Sequence, residues 1–181
     1  MLDRKPESHE DGPRTARHTD SPARGRAIRV STDRDGFARY GLVIRHSGTG
    51  AARSDFSRVF ETVEPSIAPR LHVNRVEPSS PPFLISTLER HPESWQTFLP
   101  LHVSRYLVCV AGSLPDGRPD LDELHAWIMD GNAGVAFAPG IWHAGATVLD
   151  GLGHFAVIWP RRDRDTDTEF HLLSEPVSID P

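Results

Sequence analysis

The stretch of residues 84–98 reads LISTLERHPESWQTF and holds several side chains that can bind or transfer protons. Its first half belongs to an apolar run, 83–91, that we interpret as a β-strand, in which alternate side chains share a face. Glu89 and His91 should therefore point to one side of the strand and Arg90 to the other. A carboxylate and an imidazole on one face can bind one cation or share one proton, although such a pair is more often a surface ion pair.

A second segment, residues 134–143, reads GVAFAPGIWH and gives that pair more weight. It consists of an apolar strand, a Pro-Gly turn, an aromatic residue and then His143. It resembles the second motif of the cupins, in which a histidine that follows such a turn points into a β-barrel. Against the first cupin motif, Glu89, His91 and Gln96 occupy matching positions. We therefore expect Glu89, His91, Gln96 and His143 to converge on one point inside a barrel.

Further pieces of the sequence resemble the ureidoglycolate lyase family in composition and order, from about residue 30 to about residue 175. They are, along the chain, residues 37–41, 74–78, 89–92, 96–101, 106–108, 119–121, 131–135 and 140–143. The Glu-Arg-His-Pro and Trp-His pieces are the most specific among them. The chain departs from the family at Ala136 and Ala144, where members usually have Asn and His.

The resemblance implies an enzyme that cleaves ureidoglycolate to glyoxylate and urea in allantoin and purine catabolism, and a homodimer. In this substrate one carbon carries a hydroxyl, a ureido nitrogen and a carboxylate. The hydroxyl must lose a proton as the carbonyl forms, the departing nitrogen must gain one, and the carboxylate must be held. General acid–base groups with pKa values near the working pH suit the two proton transfers.

Histidine is the natural acid–base group at neutral pH. We therefore expect His91 or His143 to be catalytic, with Glu89 orienting or assisting. A divalent cation held by Glu89, His91, Gln96 and His143 would also lower the pKa of the hydroxyl. This ligand set favours a transition metal over calcium, and the resemblance makes nickel or manganese the candidates.

Arg75 and Arg90 are candidates for binding the substrate carboxylate, because a guanidinium matches its two oxygens. Strand alternation places Arg90 opposite Glu89, so Arg75 is favoured unless a bulge turns the strand. Trp142, beside His143, is expected to form a buried wall of the site.

The remaining sequence indicates a mainly β fold, a cupin-like β-barrel (double-stranded β-helix) with a few short helices. Residues 1–25 are rich in charged residues and lack aromatic ones, so we expect a disordered tail before one domain at 26–181. Apolar runs between Pro and Gly residues predict strands at 42–44, 71–76, 83–91, 105–111, 134–138 and 154–159. Capping patterns predict a short helix after Thr32 and a second helix over residues 120–131.

Composition limits the classes of partner. The net charge of −5 argues against a nucleic-acid partner, because phosphate binding needs clustered Lys and Arg. The single cysteine, Cys109, lies in an apolar run and is expected to fill the core rather than act as a nucleophile. No apolar run is long enough to cross a membrane. We expect a cytoplasmic protein that acts on a small molecule.

Two other interpretations stay open at this point. An enzyme of the same fold could act on another small hydroxy- or ureido-acid, and the departures at Ala136 and Ala144 motivate this alternative. A barrel that binds a small molecule without catalysis is the other alternative. The presence of two histidines, a glutamate and a glutamine together counts against it, because ligand binding alone has no evident need for that set.

Overall fold

The computed structural model describes residues 26–33, 35–46, 48, 50, 52–62, 68–160 and 167–181. The tail expected at residues 1–25 lies outside the described residues. The strands are β1 (Ala27–Arg29), β2 (Gly41–Ile44), β3 (Pro69–Val76), β4 (Phe83–Arg90), β5 (Gln96–His102), β6 (Arg105–Ala111), β7 (His125–Asp130), β8 (Gly134–Phe137), β9 (Trp142–His143), β10 (Thr147–Val148), β11 (Gly153–Pro160) and β12 (Glu169–Asp180). Short 3₁₀ helices cover Asp35–Arg39, Ser57–Phe60 and Leu121–Glu123.

The strands form two sheets around one interior. The first sheet has the order β1-β12-β4-β9-β6-β10, with β7 also paired to β6, and the second has the order β2-β8-β5-β11-β3. The main hydrophobic cluster takes Phe98 and Phe155 from the second sheet and Tyr106 and Val110 from the first. The sheets therefore share one core, and the predicted mainly β, cupin-like barrel is confirmed.

Strand β6 is buried on both faces. Every second residue, Tyr106, Val108 and Val110, packs into the main cluster between the sheets. The residues between them, Leu107, Cys109 and Ala111, pack into a second cluster behind the first sheet. Cys109 is a core residue, as predicted, and burial raises the pKa of its thiol to about 12. A thiol in that state is not a nucleophile near neutral pH.

The helix predicted over residues 120–131 is wrong beyond its first turn. Asp120 does cap a start, since its Oδ1 accepts a hydrogen bond of 3.1 Å from the N–H of Asp122, but the turn ends at Glu123. The chain then becomes strand β7, which pairs with β6 along its whole length. Trp127 and neighbouring residues of β7 are buried on both faces of the strand. A strand buried on both faces has a nearly continuous apolar sequence, which mimics helical spacing.

The helix predicted after Thr32 is present as the 3₁₀ helix Asp35–Arg39. Asp33 rather than Thr32 caps it, because Oδ1 of Asp33 accepts a hydrogen bond of 3.0 Å from the N–H of Asp35. Phe37 is fully buried, and its ring meets the Trp127 ring edge-on at 5.6 Å. The helix thus covers strand β7. Within the described ranges, no helix reaches the length and apolarity that crossing a membrane requires.

Candidate active site

Three strand pairings orient three of the predicted site residues. Glu89 on β4 pairs with His143 on β9, and His143 also pairs with Val110 of β6, a residue of the main cluster. Residues directly opposite each other in an antiparallel pair point to the same face. Gln96, at the start of β5, pairs with Phe137 of β8. The barrel interior is therefore the common direction of these side chains.

Short distances join these side chains. Nε2 of His143 lies 2.7 Å from Oε1 of Gln96 and 3.3 Å from Oε1 of Glu89. The rings of His91 and His143 are 5.6 Å apart between centroids. One ligand atom from each of Glu89, His91 and His143 can be chosen so that all lie within 4.8 Å of one another. The structure thus brings the four residues to one point.

The surroundings of His143 require a positive charge, carried by a proton or a metal ion, beside its Nε2 atom. Its Nδ1 lies 3.0 Å from the carbonyl oxygen of Ile141, which can only accept, so Nδ1 carries a proton. In a neutral ring Nε2 is then a lone pair, and it faces the carboxylate of Glu89. Gln96 can turn its amide nitrogen toward that lone pair, but a carboxylate cannot donate. The contact between Nε2 and Glu89 therefore needs a proton or a metal ion.

His91 offers a second lone pair to the same point. Its Nδ1 donates a hydrogen bond of 2.8 Å to the carbonyl oxygen of Asp167, and only 3% of the residue is exposed. Its Nε2 is buried and has no hydrogen-bond partner within the described part of the chain. A buried acceptor without a partner is costly in a folded protein. Two imidazole lone pairs with a carboxylate form the donor set that divalent transition metals prefer, so these residues fit a metal ion.

The charge states follow from the surroundings. Burial raises the pKa of Glu89, but the hydrogen bond and charge of His143, with smaller effects of His91 and Gln96, outweigh it and lower that pKa below its ordinary value. Burial and then the charge of His143 lower the pKa of His91, against the opposing effect of the Asp167 carbonyl. At neutral pH Glu89 is ionised and His91 is neutral, the states in which both can bind a cation.

A cleft of about 580 Å³ leads to this point from the surface. Glu89 and Gln96 line it, and the Glu89 side chain keeps 24% of its surface exposed. Strand β3 forms one wall of the cleft. His72 and Asn74 on this strand pair with β11 residues that pack in the core, so their side chains point to the inner face of the sheet. A small polar molecule can therefore reach the carboxylate, while the two histidines stay behind it.

The sequence of the chain matches a known protein family. A sequence model of the family described as Ureidoglycolate lyase matches residues 26–180. The chain belongs to the ureidoglycolate lyase family. The predicted family is therefore confirmed.

Individual relatives cover different shares of the chain. It is 32% identical to a ureidoglycolate lyase of Burkholderia cepacia over 134 residues, which are 69% of this chain and 74% of that protein. It is 46% identical to the Schizosaccharomyces pombe ureidoglycolate lyase over 66 residues, 34% of this chain and 35% of that one. A Salmonella newport ureidoglycolate lyase is 38% identical over 45% of this chain and 52% of its own length. RmlC from Streptococcus suis, solved with dTDP-D-xylose, aligns with a TM-score of 0.39 and 10% identity over 52% of this chain and 44% of RmlC.

Two of the three residues predicted to contact substrate in this ureidoglycolate lyase family member lie away from the cleft. Arg90 donates to Glu169 and Ser113, and its guanidinium lies 4.6 Å above the Trp142 ring. Trp142 is buried in the second cluster, behind the first sheet. Trp142 is thus buried as predicted, but neither it nor Arg90 faces the cleft. The reason is strand alternation, since each adjoins a residue that points into the barrel.

Arg75 lies at the rim of the cleft. It pairs with His154 of β11, whose neighbour Phe155 is the residue that points into the core. The Arg75 guanidinium is 59% exposed and forms an ion pair of 2.5 Å with Glu77. Arg75 therefore belongs to the outer face of β3, and the ion pair must open before it can reach into the cleft.

Sequence reasoning missed three residues around the two histidines. The ring of Phe137 stacks on His143 at 4.1 Å, and the ring of Trp159 lies 4.3 Å from His91. Asp167 accepts the Nδ1 hydrogen bond of His91. The position of Phe137 in the second motif could have identified it. Trp159 and Asp167 lie far from the motifs in sequence, and no spacing points to them.

Proposed function

We propose that this protein cleaves ureidoglycolate to glyoxylate and urea, as a step of allantoin breakdown in purine catabolism. The observation that carries the proposal is the convergence of Glu89, His91 and His143, with one ligand atom of each within 4.8 Å of the others, at the inner end of an open cleft. Family membership supports the substrate, because the relatives named above are ureidoglycolate lyases.

When no ion occupies their Nε2 atoms, the two histidines suit the two proton transfers of this reaction. His91 is neutral at neutral pH and can accept the hydroxyl proton at Nε2, which has no other partner within the described residues. His143 can hold a proton at Nε2, between Glu89 and Gln96, and deliver it to the departing ureido nitrogen. Glu89 stabilises that protonated ring by its negative charge. The stacked Phe137 ring keeps water from one face of His143.

We propose nickel or manganese as the ion that Glu89, His91 and His143 would hold, with Oε1 of Gln96 as a weak fourth ligand. When bound, a divalent cation supplies a Lewis acid that lowers the pKa of the substrate hydroxyl. The protein's own part is to hold both imidazoles with Nδ1 on a backbone carbonyl, which fixes Nε2 as the donor atom.

The substrate carboxylate needs a positive or hydrogen-bonding partner at the cleft. We propose that Arg75 supplies the charge by leaving Glu77, since it lines the rim. His72 and Asn74 of the same strand face the cleft and can donate hydrogen bonds to the rest of the substrate.

We also propose a homodimer in the cytoplasm. The outer face of β3 and β11 carries an apolar surface made of Leu71, Val73, Ala156 and Ile158, and Leu71 and Val73 are more than 60% exposed. Among the described residues, strand β3 is also the edge of its sheet, and an edge strand can pair with a second chain. Light scattering on the wild type and on Val73→Lys tests this surface, and a dimer that survives the substitution would place the interface elsewhere.

An assay of glyoxylate release from ureidoglycolate, with and without a chelator, tests the function. Wild-type protein should turn over, and His91→Ala should not. His102→Ala is the matched control, because His102 is an exposed histidine on β5. Absence of turnover by wild-type protein supplied with nickel or manganese would contradict the proposal.

A further inference from the structure

Asp167 is a buried carboxylate that joins two distant parts of the chain. Only 3% of the residue is exposed. Its Oδ1 accepts a hydrogen bond of 2.8 Å from the backbone N–H of Glu93, and its Oδ2 accepts one of 2.5 Å from the hydroxyl of Ser94. These partners lie in the segment between β4 and β5, directly after His91. A buried carboxylate is tolerated when both oxygens are bonded in this way.

The same residue also contacts the site through its backbone. The carbonyl oxygen of Asp167 lies 2.8 Å from Nδ1 of His91. A carbonyl can only accept, so this contact keeps the ring proton on Nδ1 and leaves the lone pair on Nε2, which is buried and has no hydrogen-bond partner within the described residues. The carboxylate therefore anchors the carbonyl that sets the tautomer of His91.

We propose that Asp167 is a positioning residue, which holds the His91 ring in the Nδ1-protonated tautomer with Nε2 directed at the site. The inference rests on the proposed role of His91 as a metal ligand or acid–base group. Asp167 is not among the residues that line the cleft, and we propose that it acts through the imidazole.

Positioning of the His91 ring by Asp167 can be distinguished from general support of the fold. The backbone of His91 is held independently, because its carbonyl accepts a hydrogen bond of 2.9 Å from the N–H of Gly140 in the Pro-Gly turn. Loss of the Asp167 carboxylate should therefore disturb the direction and tautomer of the ring more than the path of the chain at His91.

The test uses the full chain, stripped of metal and labelled with ¹⁵N. Long-range ¹H–¹⁵N spectra should show His91 of the wild type protonated at Nδ1 only. In Asp167→Ala the two tautomers should mix, and calorimetric titration with Mn²⁺ should show affinity weaker by roughly 10- to 100-fold. Asp167→Asn should restore both readouts to within a few-fold of the wild type, because its amide can accept from Glu93 and donate to Ser94.

Thr97→Val is the matched control. Thr97 is a buried residue of β5 whose hydroxyl has no hydrogen-bond partner within the described ranges, so its loss should change neither readout. If Asp167→Ala does not fold, Ser94→Ala carries the test, since it removes one of the two anchors and should change both readouts in the same direction by less.

An unaltered His91 tautomer and Mn²⁺ affinity in a folded Asp167→Ala or Ser94→Ala protein would overturn the inference while leaving the proposed reaction intact. Conversely, the wild type could fail to cleave ureidoglycolate while its His91 tautomer still depends on Asp167. That result would contradict the proposed reaction and support the positioning role.

Discussion

His91 and His143 are alike in one respect that decides their chemistry: Nδ1 of each donates to a backbone carbonyl, which leaves Nε2 as the atom that can bind a proton or an ion, and each ring lies beside Glu89. Replacement of either by Ala should therefore remove a donor that has no substitute at that place. Turnover of ureidoglycolate should fall by roughly 10²- to 10⁴-fold, and bound metal, measured by elemental analysis, should be lost with it. Gln96→Ala should have a milder effect, because water can replace a neutral amide oxygen.

Chelation of the wild type separates two versions of that prediction. If chelators abolish turnover, the imidazoles act as ligands. If chelators have no effect while both His variants are inactive, the imidazoles act as acid and base alone. A His91→Ala or His143→Ala protein with near-normal turnover would contradict both versions.

The lowered pKa values of Glu89 and His91 give a pH dependence of one sign. The unfolded chain takes up a proton on each group at a higher pH than the folded protein does, so stability is lost as the pH falls. For His91 the loss begins near its ordinary value of 6.5 and for Glu89 near 4.5. Because a protonated imidazole has no lone pair, kcat/KM should also decline on the acid side. A pH–rate profile that rises from neutrality toward pH 5 would be inconsistent with this assignment.

Trp142 contributes to stability rather than to the cleft. It is 3% exposed, donates a hydrogen bond of 3.1 Å to the carbonyl of Gly117, and lies under the Arg90 guanidinium. Trp142→Ala should cost roughly 3–5 kcal/mol of unfolding free energy in urea. Phe170→Ala, at an aromatic residue that is 68% exposed, serves as the control with little expected change. Equal midpoints for the two variants would mean that Trp142 is not packed as described.

At the scale of elements, the contact between β2 and β8 depends on a glycine. A Cβ atom on Gly41 would lie 1.9 Å from the carbonyl oxygen of Ala136, which is backbone and cannot move aside cheaply. Gly41→Ala should therefore destabilise the protein, by about 1–3 kcal/mol for overpacking. In Gly112→Ala the new methyl group meets nothing within 4 Å, so its thermal melting should match the wild type. Similar melting of both variants would show that β2 can shift away from β8.

The strands that the sequence predicted correctly are those in which a short apolar run is bounded by Pro or Gly residues. Apolar runs between Pro and Gly residues located β3, β4, β6, β8 and β11 within a few residues. The prediction failed at β7, whose two buried faces erase the alternation of a strand. Strand β12 was not predicted, because most of its residues are exposed or half-buried and its pairing with β4 shifts register between Leu172 and Val177.

The candidate site was predictable only where local spacing carries information. Glu89 and His91 share a face because they are two apart in a strand, and the Pro-Gly turn gave His143. Asp167 is held to His91 across 76 positions of sequence, a contact that only the folded chain creates. Strand alternation also placed Arg90 correctly on the face opposite Glu89. Arg75 was favoured for its charge, and charge does not say which way a strand turns its side chains.

In the complete molecule, the first 24 residues should be dispensable. Their composition offers too little apolar surface to offset the entropy of ordering them, and the family match begins at residue 26. A chain that begins at Gly25 should keep the melting temperature and the turnover of the full protein. A drop of more than a few degrees would show that the tail packs on the domain.

Strand β6 connects the two hydrophobic clusters with the candidate site. Its alternate residues belong to both hydrophobic clusters, and Val110 on the same strand pairs with His143 of the site. Because unfolding of β6 would expose both clusters and unpair His143, we expect the two clusters and the site to unfold together. Any ligand held there is then linked to global unfolding, and its free energy adds to that of the fold as RT ln(1 + [L]/Kd).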